Sequence, residues 1–589
     1  MSELHDTRRR FMTYFASIGL GTTLAPGIVW ARMQDAGSQT ITLAMVTEAM
    51  KLAGVALTEA ELASMVDSAN QNLKRYDELH AIHIPNDVSP PFHFSPIVPG
   101  MTVNKKALPF TLSAAPTVKR PANLEDAAFW PLRHLGELLR TRQVTSLELT
   151  EMYLARLHRY NGLLNNVVTF LDDHGRIEAT RADAEIAAGK YKGPLHGIPW
   201  GAKDIISVKG FKTTWGSPAF KEQSFDYDAS IVELLREAGA VLIAKLATGE
   251  LASGDQWFGG QTRNPWDPTQ GSSGSSAGPS SATAAGGVAF AIGTETSGSI
   301  LSPAARCGLA GLRPTFGRIS RYGVMALSWT QDRLGPLCRY AEDCAIVMHA
   351  VARPDGRDMS VTDLPFNWDA KLDVRKLRVG YIKESFDELT NAAAKENAAK
   401  ALDALRSIGV ATLIPIVVPE ANTNVSAISV ESTVFFDEHA RAGRMKEARG
   451  GGRPNGRLVP AVEYLQSQRI RMMMMTKLAE ATASVDVYLV GSNNNGRGGP
   501  EAGRGRGAAE TPPPPQPERP QTATQRHFTM ANMACYPAIN LPNGFSETGS
   551  PTNMVCYAQP YREMEILALA KAYQDAAGFH LQRPSRLDS

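Results

Sequence analysis

The chain has 589 residues, of which 43% are apolar and 20% are charged, and its formal net charge is +2. These values indicate a soluble, globular protein long enough for more than one domain, and so small a charge gives no support for a nucleic-acid partner or an acidic membrane surface. Five cysteines without CxxC spacing predict neither a disulfide framework nor a zinc site, and the isolated pair His80 and His83 is not a metal motif.

The first 31 residues predict an export signal. The run Thr7-Arg8-Arg9-Arg10-Phe11-Met12 is similar to a twin-arginine signal, and a moderately apolar stretch leads to small residues near Ala31. This stretch is too short and too rich in glycine to span a membrane, so we expect no stable membrane insertion after the signal is removed. The predicted location is periplasmic or extracellular, and the alternative is an uncleaved helical tail.

Residues 32–124 predict a helical N-terminal region followed by a proline-rich strap. Apolar spacing favours one helix near Ile41–Leu52 that ends at Gly54, and a capping-box pattern opens a second helix from Thr58 to Leu79. The connector from Pro85 to Pro121 has little periodicity. We expect this region to pack against or shield the rest of the chain.

From about Phe129 helices and strands alternate, which predicts an α/β architecture. The segment "SLELTEMYLARLHRYN" is a helix capped at Thr145-Ser146, and "DASIVELLREAG" is a helix that precedes the strand "GAVLIAKLA". Further strands are "VAFAIG", "KLRVGYIKES" and "DVYLVGS". The low-complexity segment 491–520 contains arginine-glycine repeats but no interleaved aromatic residues, so it indicates a solvated loop rather than an RNA contact.

Two loops rich in serine and glycine lie on either side of the strand "VAFAIG". They are "QGSSGSSAG", Gln270–Gly278, and "GTETSGSILSPAARCG", Gly293–Gly308. The first continues into an alanine-rich stretch, which predicts a closely packed helix rather than a linker. The backbone N–H groups from Thr296 to Ser299 form a candidate nest for an oxyanion, so the pattern favours a serine-based active site.

A serine hydroxyl needs a base before it can attack a carbonyl carbon. Lys203 lies in "GIPWGAKDII", between apolar and glycine residues. Burial in such surroundings lowers the pKa of an amine, so Lys203 is a candidate neutral base. The alternative is an ordinary structural or surface lysine.

Together these motifs resemble the amidase signature family. The resemblance is carried by "GIPWGAKDIISVKGFKTTWGS", "NPWDPTQGSSGSSAG", "GTETSGSILSPAARCGLAGLRPTFGRISRYGV" and "LGPLCRYAEDCAIVM". It is collinear from about Leu135 to Met348 and weaker near the end of the chain. It implies a catalytic domain over residues 125–585, with an α/β fold in which helices cover a large, twisted, mixed β-sheet, and it implies no cofactor. The family includes fatty acid amide hydrolase, bacterial amidases and the tRNA-dependent amidotransferase, through one of its subunits.

The resemblance implies a Ser–cis-Ser–Lys triad. Ser299 matches the nucleophile, Lys203 the base, and Ser275 the serine in the cis peptide that shuttles the proton, with Ser272 as the fallback for that role. The N–H groups of Thr296, Ser297 and Gly298 match the oxyanion hole. The implied reaction is hydrolysis of a carboxylic amide to acid and amine through an acyl-enzyme, with ester or carbamate cleavage as an alternative at the same site.

Several positions depart from the family pattern. Glu295 replaces an aspartate, Ser297 a glycine and Leu301 an arginine. Trp257 and Phe258 lie in a region that borders the pocket in relatives, which favours a small amide substrate with an apolar or aryl part. A homodimer is a further expectation.

Three other interpretations remain. Gly274–Gly278 matches a nucleophile elbow with Ser276 at its centre, but the segment before it is rich in turn residues rather than strand-like. An amidotransferase subunit is a second possibility, and the export signal argues against it. A catalytically weak, exported binding protein is the third, and the presence of Lys203, Ser275 and Ser299 argues against that.

Overall fold

A computed structural model describes most of the chain. The described residues are 41–52, 58–59, 62–63, 65–66, 69–70, 93–410, 412–421, 427–449, 456, 459–492 and 521–587. The predicted signal segment, most of the second N-terminal helix and nearly all of the low-complexity loop lie outside them. The chain divides into two compact units, residues 1–85 with 457–461 and residues 86–456 with 462–589.

The first unit contains helix α1, Leu43–Leu52, which confirms the first predicted N-terminal helix. A residue just before it is held by Asn70. The Asn70 Oδ1 accepts a hydrogen bond from the N–H of Ile41 at 2.6 Å, and the Asn70 Nδ2 donates to the carbonyl of Ile41 at 2.9 Å. This exchange ties the start of the helix to a residue 29 positions away.

The second unit carries the remaining described elements. Its α-helices are α2 Leu132–Arg140, α3 Ser146–Leu164, α4 Asp172–Ala187, α5 Ser230–Glu237, α6 Ala277–Ala284, α7 Leu301–Cys307, α8 Ala341–Val351, α9 Lys383–Asp387, α10 Ala392–Ser407, α11 Ala427–Phe435, α12 Asp437–Arg441, α13 Ala461–Ala481 (whose first residue belongs to the first unit), α14 Ala523–Met533 and α15 Glu563–Ala577. Short 3-10 helices are Leu124–Phe129, Pro218–Phe220, Glu250–Ala252, Val374–Lys376, Arg444–Glu447, Phe579–Leu581 and Ser585–Leu587.

One large mixed sheet organises this unit. Its strands are β1 Val167–Phe170, β2 Pro199–Lys203, β3 Val241–Leu246, β8 Phe290–Glu295, β9 Ala310–Arg313, β10 Arg333–Cys338, β11 Val379–Tyr381, β12 Leu413–Pro415, β13 Val487–Gly491, β14 Ala538–Phe545 and β15 Pro551–Tyr557, and two small hairpins hold β4 Gln256–Trp257, β5 Gly260–Gln261, β6 Arg263–Asn264 and β7 Asp267–Gly271. The eleven strands of the sheet run in the order β1-β3-β2-β8-β10-β9-β14-β15-β13-β11-β12. Strand β2 is parallel to both β3 and β8, and β10 is antiparallel to β8 and β9. The predicted α/β fold with a large mixed sheet is confirmed.

Local sequence explains how the elements near the site begin and pack. Helix α3 opens with the predicted cap, because the Thr145 hydroxyl accepts from the N–H of Glu148 and the Glu148 carboxylate accepts from the N–H of Thr145. Helix α6 is buried along its whole length. A Cβ at Gly278 would clash with the backbone of Ala247, so only a residue without a side chain lets this helix lie so close to the end of β3. The predicted order of loop, closely packed helix, strand and loop is confirmed.

The proline-rich strap belongs to the larger unit from residue 86 onward. The Ser113 hydroxyl and N–H both donate to the carboxylate of Glu342, at 2.6 and 2.8 Å. The Phe110 ring stacks on His349 with 3.8 Å between ring centroids. The region predicted as 32–124 is therefore split at residue 85. Among the helices of the described residues, none is both long enough and apolar enough to cross a membrane.

Candidate active site

Lys203 is the last residue of β2, and its side chain is fully buried. Its ammonium nitrogen lies 2.8 Å from the Ser275 hydroxyl, 2.8 Å from the Thr294 hydroxyl and 3.2 Å from the Ser276 hydroxyl. Burial lowers the pKa of Lys203 to about 7, against smaller opposing effects of two nearby carboxylates. At neutral pH a large share of this amine is therefore unprotonated and able to accept a proton.

A second buried lysine makes clear what sets Lys203 apart. Lys245, on the neighbouring strand β3, is equally buried, but its ammonium pairs with the Asp204 carboxylate at 2.8 Å. Lys203 forms no ion pair with any described residue and contacts only hydroxyl groups. Because a buried ammonium without a counter-ion is costly, Lys203 is the better placed of the two to work as a neutral amine.

The two predicted serine loops meet beside this lysine. The peptide bond between Gly274 and Ser275 is cis, and the Ser275 side chain is buried. The N–H of Ser276 donates to the carbonyl of Ser299 at 3.1 Å. Loops separated by more than twenty positions in sequence are thus adjacent, and the structure brings Lys203 and Ser275 together as predicted, with the Ser299 backbone next to them.

The Glu295 carboxylate holds the loop that carries Ser299 through hydrogen bonds to its backbone. The carboxylate accepts from the N–H groups of Ile300 and Leu301 at 2.8 and 2.9 Å and from Arg313 at 2.8 Å. Burial raises the pKa of Glu295, but Arg313 and these donors outweigh burial, so the pKa falls below its usual range. The carboxylate therefore stays charged and holds the backbone that follows Ser299.

The backbone of this loop leaves donors free. Gly298 has φ +86°, and a Cβ there would lie 2.9 Å from the Phe528 ring, so glycine is required. The N–H groups of Ser297, Gly298 and Ser299 donate to no acceptor among the described residues. Ser297 is exposed and Ser299 is half-buried, so these donors border open space. This is the arrangement expected of an oxyanion hole.

The remaining sequence candidates differ in their positions relative to Lys203. Ser272 donates to the carbonyl of Ser273 and has no contact with Lys203 among its described hydrogen bonds. The short strand β7 ends at Gly271, four residues that are not in a strand separate it from Ser276, and it belongs to a small hairpin outside the main sheet. The Ser276 hydroxyl is buried and bonds to the backbone of Thr294, so it is not the exposed serine of a nucleophile elbow. Trp257 and Phe258 contact each other on the β4–β5 hairpin and do not line the pocket beside Thr294.

A pocket of about 620 Å³, including its open mouth, lies next to this site, although Lys203, Ser275 and Ser299 do not line it. Thr294, the partner of Lys203, and Thr296, from the loop before Ser299, both form part of its wall. Apolar side chains line one part, and charged side chains line another: Ile205, Met325, Leu327 and Trp329 are among the former, and Arg321, Asp332, Arg333 and Arg357 among the latter. Thr294 lies in a quoted motif that gave it no role, and Asp332 and Arg333 fall outside the quoted motifs. Their positions depend on the pairing of β8 with β10, which no local motif reports.

Within the described part of the chain, no cluster of three or more histidine, cysteine, aspartate or glutamate side chains could hold a metal ion. All five cysteines are buried and free.

Comparison with known proteins identifies the family. A family model described as Amidase matches residues 148–567. The chain belongs to the amidase family. The matched range begins in α3 and ends in α15, so it includes all strands of the large sheet and both serine loops.

Two curated relatives of this amidase-family chain are components of an amidotransferase. Over 279 residues it is 40% identical to the A subunit of the glutamyl-tRNA(Gln) amidotransferase of Roseiflexus sp. (strain RS-1), a match that covers 46% of this chain and 57% of that protein. Over 473 residues it is 30% identical to the corresponding protein of Moorella thermoacetica, a match that covers 76% of this chain and 97% of that protein. The stronger similarity thus spans little more than half of the relative's length.

Solved structures agree on the fold. The native peptide amidase from Stenotrophomonas maltophilia superposes with a TM-score of 0.66 at 25% sequence identity, covering 79% of this chain and all of that one. An amidase family protein from Bacillus anthracis gives a TM-score of 0.66 at 22% identity, covering 78% of this chain and 93% of that one. Because the identity in the second comparison is only 22%, that comparison supports the fold alone.

Proposed function

We propose that this protein is a serine amidohydrolase that cleaves the C–N bond of a carboxylic amide to give an acid and an amine. The observation that carries the proposal is the 2.8 Å contact between the buried, unpaired Lys203 amine and the Ser275 hydroxyl. Membership of the amidase family supports it independently. The name of the peptide amidase neighbour is consistent with amide chemistry of this kind.

The proposed proton path runs through three side chains. Neutral Lys203 accepts the proton of the Ser275 hydroxyl, and Ser275 takes the proton of Ser299 as the Ser299 oxygen attacks the acyl carbon. The tetrahedral oxyanion is held by the free N–H groups of the loop from Thr296 to Ser299, with Ser297 and Gly298 as the central donors. Ser275 then protonates the leaving amine, and water releases the acyl group from Ser299 by the reverse path.

Ester or carbamate cleavage is a second proposed activity at the same site. Attack of a serine on the carbonyl carbon of an ester or a carbamate forms a tetrahedral intermediate similar to that of an amide. A role within an amidotransferase is supported by the names of the curated relatives. The predicted export signal disfavours it, because chemistry on tRNA is cytoplasmic. The third interpretation, a binding protein of low activity, is opposed by the complete set of Lys203, Ser275 and Ser299.

A fluorophosphonate tests the proposal without knowledge of the substrate. We expect intact mass spectrometry to find one adduct on the wild-type protein and none on Ser299→Ala, because only an activated serine attacks the phosphorus. Ser276→Ala is the matched control and should still be labelled. Absence of an adduct on folded wild type would reject the proposal, and an adduct that survives in Ser299→Ala would assign the nucleophile elsewhere.

The same labelling reaction should depend on pH. Only unprotonated Lys203 can accept a proton, and its pKa is about 7. The second-order labelling rate should therefore be low at pH 5, rise through about pH 7 and level off above it. A rate that is flat from pH 5 to pH 9, where the protein stays folded, would contradict the role of Lys203 as a neutral base.

We also propose that the protein is exported by the twin-arginine route, on the sequence of residues 1–31 alone. Fusion of this segment to a folded fluorescent reporter should send the reporter to the periplasm. Replacement of Arg8, Arg9 and Arg10 by lysine should stop export. Unchanged export after that replacement would rule out the twin-arginine route.

A further inference from the structure

The pocket beside the candidate site contains a buried arginine with two unused hydrogen-bond donors. Arg333 is the first residue of β10, lines the pocket and is only 2% exposed. Its Nη2 donates to the carbonyl of Thr296 at 3.0 Å, in the loop that leads to Ser299. Its Nε and Nη1 are buried and have no hydrogen-bond partner among the described residues.

This guanidinium is charged at neutral pH. Burial lowers the pKa of Arg333 to about 10, which still leaves it almost fully protonated at pH 7. A buried positive charge with two unused donors is costly unless an anion or water satisfies it. The charges of Glu295 and Asp332 oppose the effect of burial on the pKa of Arg333, but its two unused donors remain available to water or to an anionic group of a ligand.

The nearby carboxylates are already engaged. Asp332 accepts from the Thr296 hydroxyl at 2.6 Å and from the N–H groups of Leu327 and Ser328, at 2.6 and 2.9 Å. Glu295 is bound by Arg313 and by the backbone that follows Ser299. Neither carboxylate forms an ion pair with Arg333 in the described part of the chain.

The other arginines of the pocket differ in this respect. Arg321 pairs with Asp358 at 3.1 Å and also donates to the carbonyl of Trp329. Arg357 pairs with Glu233 and donates two hydrogen bonds to its carboxylate. Arg333 is thus the pocket arginine whose donors remain available, and it touches the candidate oxyanion loop directly.

We propose that Arg333 binds a small anionic group of the substrate, with a carboxylate as the fitting chemistry. The proposal rests on the serine hydrolase function proposed above and specifies its substrate class. Nε and Nη1 lie on opposite edges of the guanidinium, so each can donate to an oxygen of an anionic group, and a carboxylate binds two nitrogens only by sharing Nη2 with the Thr296 carbonyl. The apolar wall formed by Met325, Leu327 and Trp329 accepts the body of the molecule. The substrate is therefore an amide that carries a negative charge in addition to the apolar or aryl part expected from Trp257 and Phe258.

Paired fluorophosphonate probes test this assignment. In each pair the alkyl chain has three to six carbons and ends in either a sulfonate, a chemically inert substitute for the carboxylate, or a methyl group. In the wild type we expect the sulfonate probe of at least one length to label Ser299 about tenfold or more faster than its methyl twin, as one charge-assisted contact allows. The measured quantity is the second-order rate of labelling.

Variants of the pocket arginines decide the cause of any preference. Arg333→Met should lose the preference, so that the sulfonate probe and its methyl twin label at similar rates. Arg333→Gln should also lose the preference for the sulfonate probe. Glutamine keeps a donor for the Thr296 carbonyl, so this variant provides a test if the methionine variant does not fold. Arg357→Met is the matched control and should keep the preference, because Arg357 is already paired.

The outcomes are distinct. Equal labelling by both probes at every length in the wild type would overturn the assignment of Arg333 while leaving the proposed function intact. A preference that persists in a folded Arg333→Gln variant would also overturn it. No labelling by either probe would refute the proposed serine chemistry itself, and the substrate class with it.

Discussion

Replacement of Lys203 by methionine should lower the rate of Ser299 labelling and of ester or amide turnover by about 10²–10⁴-fold, the usual worth of a positioned general base. The fold should survive, because methionine has a similar shape and the variant leaves no buried charge behind. The measurements are the second-order labelling rate and circular dichroism of the purified protein. Near-normal labelling in a folded Lys203→Met variant would refute the proposed triad.

Lys245→Met provides the contrast. Lys245 is as deeply buried as Lys203 and lies on the next strand, but it neutralises Asp204. Its replacement leaves a buried carboxylate without a counter-ion and should lower the thermal unfolding temperature more than Lys203→Met does. Both lysines are buried, but Lys245 pairs with Asp204 and Lys203 has no such partner among the described residues. This difference distinguishes the structural role expected of Lys245 from the catalytic role proposed for Lys203.

Replacement of Arg313 by methionine should lower the free energy of unfolding by about 3–5 kcal/mol. Arg313 is fully buried and donates to Glu295 at 2.8 Å, to Asn532 at 2.7 Å and to the carbonyl of Tyr536 at 2.8 Å. Its loss leaves the charge of Glu295 buried with backbone donors alone. Denaturant unfolding followed by fluorescence measures the change.

An exposed arginine is the control for this effect. Arg375 pairs with Asp373 at 2.7 Å, but its side chain is 69% exposed. Arg375→Met should leave the unfolding midpoint unchanged, because solvent screens an exposed ion pair. If Arg313→Met were as stable as Arg375→Met, Glu295 would have to be neutral in the folded protein, against the direction of its pKa.

Local patterns predicted the parts of the molecule that depend on neighbours in sequence. The helix cap at Thr145, the strand Val241–Leu246 and the tightly packed helix Ala277–Ala284 all follow from spacing and side-chain size, and the structure confirms them. The motifs also pointed to Lys203 and Ser275, and the structure places these two side chains in hydrogen-bond contact. Their catalytic roles remain proposals.

The rest could not be read from local sequence because it depends on which strands pair. Thr294 contacts Lys203 because β8 pairs in parallel with β2. Arg333 donates to the Thr296 carbonyl because β10 pairs with β8. The motifs marked Glu295 only as a departure from aspartate. Its ion-pair partner is Arg313 on β9, which no local motif identified. Trp257 and Phe258 contact each other near the separate β4–β5 hairpin, and their role in substrate binding stays a prediction.

The order of strands in the large sheet also bears on how the chain is made. The half of the sheet that carries Lys203 and the serine loops ends at β9, and the strand that covers the open side of β9 is β14, near the end of the chain. Arg313 on β9 and its partner Tyr536, just before β14, are 223 positions apart. While the ribosome synthesises the intervening residues, β9 exposes unpaired backbone groups, and such an edge invites pairing with other chains. The nascent protein therefore has to be protected from aggregation until its last segment emerges.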